Sequence, residues 1–132
     1  MSLLDVTTEG TQDLELLNEG DEVQVRIVNA EQVPVKSRPG ANQLSVRFDV
    51  PSNPLVDDIY GFVSLPNEAM RESDLKAYSK AVKRYQDFCK CFHCEDATDS
   101  DDFKGMTGDV IVGIKDDEYG RKNTIKQYVV GA

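Results

Sequence analysis

Ser73–Phe92 reads SDLKAYSKAVKRYQDFCKCF, and its periodicity decides the fold. Leu75, Tyr78, Val82, Tyr85, Phe88, Cys89 and Phe92 recur at steps of three and four, the repeat of an amphipathic helix. Ser73 is a fair N-cap, and Asp74 places a carboxylate in the first turn, where the helix dipole favours it. Lys76, Lys80, Lys83 and Arg84 give the helix a basic, solvent-facing side. The segments on either side of this helix alternate with a period of two instead.

Upstream, Glu22 to Val35 reads as a first strand, with Val23, Val25 and Ile27 on one face and Gln24, Arg26 and Val28 on the other. So long a run predicts a strongly bent strand, with Pro34 near its end or at a bulge. Ser37 to Asn42 is turn chemistry: Pro39 sets φ for a corner and Gly40 can take positive φ. Gln43 to Val50 is the second strand, Leu44, Val46, Phe48 and Val50 facing one way and Ser45, Arg47 and Asp49 the other. Asp58 to Leu65 is the third, with Ile59, Val63 and Leu65 opposed to Tyr60, Phe62 and Ser64. Downstream, Gly108 to Lys115 and Asn123 to Val130 are the fourth and fifth strands, joined by a hairpin loop at Asp116 to Lys122. The fold class expected is all-β with one helix: a five-stranded OB-like barrel with the long helix between strands 3 and 4. Residues 1–20 read as an acidic N-terminal arm and residues 21–132 as the OB-like domain.

The chain has 132 residues, 39% hydrophobic and 30% charged, which fits one soluble domain with a core of its own. No apolar run approaches the roughly 18 residues of a membrane span, so no membrane partner is expected. The opening MSLLDVTTEG lacks the pattern of a signal peptide, and the free cysteines fit a reducing compartment, so a cytoplasmic location is expected. The net charge of −9 argues against a polyanion partner when taken alone. Yet the charge is segregated. Acid gathers in residues 5–22 and in Glu95 to Asp102. Base gathers at Arg26, Lys36, Arg38, Arg47, Lys104, Lys115, Arg121, Lys122 and Lys126.

Strand alternation puts Arg26, Arg47, Tyr60 and Phe62 on one outer surface. Aromatic rings beside guanidinium groups are what single-stranded nucleic acid requires, each stacked base contributing about 1–3 kcal/mol. Lys36 with Arg38, and Tyr119 with Arg121 and Lys122, lie on the two hairpin loops that OB folds use as flanks. The plainer reading is that Tyr60 and Phe62 pack under the arm or a subunit partner, while the arginines solubilise the sheet.

Other chemistry is thin. Cys89, Cys91, His93 and Cys94 are zinc-ligand types, but they crowd six residues at a helix end with no second cluster. Cys89 falls on the apolar stripe, which favours a core thiol, and His93 reads as a cap or surface residue. Asp99, Asp101 and Asp102 lack the glycine and glutamate of a calcium loop. No GxGxxG, phosphate-loop lysine or GxSxG occurs, so neither a cofactor nor catalysis is expected.

Three stretches carry a resemblance: GDEVQVRIVNAE with the later LSVRFDV, the helix SDLKAYSKAVKRYQDFCKCF, and the closing GMTGDVIVGIKDDEYGRKNTIKQYV. In this order they resemble the phage-encoded single-stranded DNA-binding proteins with an OB fold, over roughly residues 20 to 130. The resemblance implies non-catalytic, sequence-tolerant coating of single-stranded DNA during replication or recombination, in the bacterial host cytoplasm. Replication or recombination proteins, and further copies of the chain, are the other candidate partners. Many such binders recruit enzymes through an acidic tail. Here the closing residues are KQYVVGA, so either a tail has been removed, or the acidic arm or the Glu95 to Asp102 loop takes that part, or such recruitment is absent. The rival function is a protein-interaction or assembly module on the same scaffold.

Overall fold

The computed structural model describes residues 14–37, 40–118 and 120–130. Its elements run β1 (Glu22–Pro34), β2 (Asn42–Asp49), β3 (Ile59–Leu65), α1 (Glu68–Ser73), α2 (Leu75–Cys91), a 3-10 turn (Ser100–Phe103), β4 (Thr107–Asp117) and β5 (Gly120–Tyr128). The strands form one antiparallel sheet in the order β3-β2-β1-β4-β5, so β1 pairs on both edges.

A bulge makes that double pairing work. The β1–β2 register steps from Ile27↔Phe48 to Asn29↔Arg47, leaving Val28 as the extra residue. The inward face accordingly shifts from Val25 and Ile27 to Ala30, all of them buried. The first part of β1, Glu22 to Arg26, pairs with β4, and the later part pairs with β2. At the kink the Ile27 backbone bonds the lead-in to β4, donating to Met106 O at 2.8 Å and accepting from Gly105 N at 2.8 Å. Pro34 closes the strand, where its missing N–H costs no ladder bond, and Gly40 turns the corner at φ +84°.

The two outer strands, β3 and β5, approach each other without a ladder among the described residues. Their meeting point is Gly61. A Cβ placed there would lie 3.2 Å from the Phe48 ring and 3.5 Å from the Tyr128 hydroxyl. The helix covers one end of this curved sheet. Phe92 stacks on Phe48 and meets Tyr128 edge-on, and Phe88 meets Phe92 and Phe103 tilted and Tyr128 edge-on, ring centroids 5.2–6.1 Å apart. Each such side chain, fully withdrawn from water, contributes about 1.5–3 kcal/mol.

The helix differs from the sequence expectation at its start. Asp74, not Ser73, is the N-cap of α2, its Oδ1 accepting from Ala77 N at 3.1 Å. A separate turn of helix, α1, precedes it, capped by Asn67 Oδ1 on Met70 N at 2.7 Å. Two good cap residues seven positions apart give two helices, and the first, which buries no side chain, lies upstream of the expected Ser73–Phe92 helix. Leu75, the first residue of α2, is 64% exposed, and burial concentrates in Ala81, Phe88, Cys89 and Cys91.

The described end of the arm is tied down. Glu15 N donates to Leu55 O at 2.7 Å, beside β3, and Gly20 N to Val112 O at 2.8 Å, on β4. Between them Asn123 of β5, buried, grips Leu17: its Oδ1 accepts from Leu17 N and its Nδ2 donates to Leu17 O, both at 2.9 Å. Among the described residues no helix is long and apolar enough to cross a membrane.

Candidate nucleic-acid interface

Tyr60 and Phe62 stand on the solvent side of β3 because Ile59 and Val63 take the core side. They are 57% and 58% exposed, among the largest apolar groups left in water. Two residues of strand separate them, about 6.6 Å. Arg47 is directly opposite Tyr60 on β2, and Ser45 is opposite Phe62. Arg26 lies one strand further on, opposite Asp49. The structure thus brings together Arg26, Arg47, Tyr60 and Phe62, as alternation predicts.

The arginines are not alone there. Arg26 holds Asp49 with a two-pronged contact, Nε to Oδ1 at 3.1 Å and Nη2 to Oδ2, and this hydrogen-bonded carboxylate raises the guanidinium pKa further. Arg47 Nε is 3.4 Å from Asp58. Arg121 and Lys122 are placed in β5 and not on a loop, because the strands extend to Asp117 and Gly120 and shrink the hairpin. Arg121 faces its cross-strand partner Asp116 at 3.1 Å, and Lys122 Nζ reaches Asp117 at 2.6 Å. Both line a shallow depression with Leu14, Leu16, Asp57 and Asp58, so they adjoin the Arg47 end of the aromatic pair. Lys36, exposed, follows β1 at the opposite end. Arg38 and Tyr119 lie outside the described residues.

The face is therefore aromatic at its centre and charge-balanced around it. Asp49 and Asp58 are the residues that sequence reasoning missed as participants. Asp49 was visible as sharing a face with Arg47, but its pairing with Arg26 depends on where the β1 bulge falls.

The Cys89–Cys94 segment is core and cap. All three thiols are buried. Burial raises the pKa of each, Cys91 to about 11. His93 is exposed at φ 58°, the left-handed residue after the C-cap of α2. Around it Cys94 N bonds Cys89 O at 2.8 Å and His93 N bonds Lys90 O at 3.3 Å, a Schellman ending with histidine where glycine is usual. Asp99 and Asp102 cap the 3-10 turn through backbone N–H groups. Among the described residues no three His, Cys, Asp or Glu side chains converge as a metal site requires. The sequence matches no protein-family profile and no curated protein.

Proposed function

We propose that this chain is a non-catalytic, sequence-tolerant binder of single-stranded DNA, acting in replication or recombination from an OB-like barrel. The observation that carries the reading is the solvent-facing pair Tyr60 and Phe62 with Arg47 opposite. Two rings along one strand offer successive bases a stacking platform, which is tolerant of sequence because every base has a π face. The strand order, with β1 shared between β2 and β4 and the β3 and β5 edges drawn together at Gly61, supports the barrel. The balanced charges change the energetics expected from sequence. A phosphate must displace Asp49, Asp58, Asp116 or Asp117 to reach its cation, so stacking supplies most of the affinity at this face. Exposed ion pairs are weak and exchange readily.

Fluorescence anisotropy with labelled oligo-dT, and duplex as control, tests this. Single strand is expected to bind in preference to duplex, and Tyr60→Ala/Phe62→Ala to weaken it by about tenfold or more. Arg47→Ala should weaken all sequences about equally. No binding of oligo-dT by the unaltered protein at low salt would overturn the reading. The assembly-module alternative draws on the same exposed rings: it requires that they be covered by a second copy, which sedimentation of the Tyr60→Ala/Phe62→Ala variant would reveal as lost oligomer.

A further inference from the structure

The sheet face described above is charge-balanced, yet the molecule carries a concentrated positive surface elsewhere. A groove of about 640 Å³ runs between α2 and the end of β5, its lining including Lys80, Lys83, Arg84, Asp87, Lys90 and Lys126. Its lining holds five cationic side chains against one carboxylate, on a chain whose net charge is −9. Lys83 is paired with Asp87 at 2.8 Å, and Lys126 lies 3.5 Å from Glu19, outside the lining. The excess remains strongly positive after both.

The groove is ordered as well as charged. Lys80, Lys83, Arg84 and Lys90 follow one another at helical spacing, and Lys80 to Lys90 covers about 15 Å of helix at 1.5 Å per residue. That length is enough to meet more than one successive phosphate of a strand. Arg84 is held over the Tyr128 ring, 5.2 Å from guanidinium carbon to centroid, which fixes a cation in the floor. The β5 wall of this groove lies beside β3, since Ile125 Cγ1 would be 3.7 Å from a Cβ placed at Gly61. The Tyr128 hydroxyl reaches the inner side of Gly61, the residue between Tyr60 and Phe62.

We propose that this groove is a second nucleic-acid contact, one that takes the phosphodiester backbone of the strand whose bases stack on Tyr60 and Phe62. The proposal rests on the single-stranded DNA reading and divides its labour: rings hold bases on β3, and the α2–β5 groove neutralises phosphates. Salt sensitivity then belongs to the groove and not to the sheet face.

The test measures oligo-dT anisotropy between about 50 and 200 mM salt, the range over which phosphate contacts lose affinity. Three proteins are compared: unaltered, Lys80→Gln/Lys83→Gln/Lys90→Gln/Lys126→Gln, and Tyr60→Ala/Phe62→Ala. The groove variant should lose at least about tenfold at low salt, and its log–log salt slope should shrink by about 2.8, at 0.7 per lost single-strand contact. The ring variant should weaken at every salt with its slope kept. Lys80→Gln/Lys90→Gln, which disturbs neither the Asp87 nor the Glu19 pair, should give about half the slope change. If the unaltered protein binds and the groove variants keep its affinity and slope, the groove proposal fails while the function stands. If the unaltered protein does not bind at all, both fail. If poly-glutamate binds the unaltered protein, oligo-dT does not, and the groove variant loses that binding, the groove takes acidic protein segments and the proposal is overturned.

Discussion

Tyr128, the last residue of β5, packs against both α2 and β3. Its ring meets Phe88 at 5.3 Å and Phe92 at 6.1 Å, its face carries Arg84, and its hydroxyl lies under Gly61. That hydroxyl has no hydrogen-bond partner and is fully withdrawn from solvent. An unpaired buried hydroxyl costs free energy that its ring contacts must offset. Tyr128→Phe keeps the ring and removes the cost, so we expect a gain of about 1 kcal/mol in a urea unfolding curve. A loss of stability would mean that the hydroxyl has a hydrogen-bonded role.

At the scale of elements, the tightest joint is between the end of α2 and the start of β4. A Cβ at Gly108 would sit 2.6 Å from Cys91 O and 2.8 Å from Cys91 Sγ, so helix and strand meet where a side chain has no room. Gly108→Ala should force them apart and cost about 1–3 kcal/mol, visible as a lower melting temperature with the fold retained. The sequence made much of this level legible. Strand faces followed from alternation, because Leu44, Val46 and Phe48 are buried as their period requires. The Glu22 run was expected to bend, and its pairing register shifts at a bulge between Ile27 and Asn29. The separate helix α1 was not legible, because Glu68–Ser73 buries no side chain and so carries no apolar stripe to announce it. Nor was the placement of Arg121 and Lys122 in β5. A Tyr-Gly pair reads as a loop tip, but how far the ladder climbs toward it depends on cross-strand pairs such as Asp116 with Arg121. The candidate face was legible as a set of side-chain directions. Its charge balance was not, since pairing partners come from other strands.

For the whole molecule, the buried acids set an alkaline limit. Burial is the first cause in each case: it pushes the Cys91 thiol up to about 11 and the Tyr128 and Tyr85 hydroxyls up to about 12. The folded chain therefore holds these protons more tightly than the unfolded chain, whose thiols titrate near 9 and phenols near 10. Their contribution is complete below about pH 9 and is lost as pH climbs through the folded values. Urea midpoints should stay level from neutrality to about pH 9 and fall by pH 11. A midpoint unchanged at pH 11 would contradict the burial of these groups.

The described arm has one more consequence. It touches Leu55 ahead of β3, then Asn123 on β5, then Val112 on β4. It crosses the seam that the ladder leaves unstitched, in the manner of a clasp across a bracelet. A truncation from the N-terminus that is meant to leave the sheet intact should therefore stop before Leu14. Cutting further in would remove a segment that bonds on both sides of that gap, to Leu55 ahead of β3 and to Asn123 on β5, and would leave the two outer strands less firmly held together.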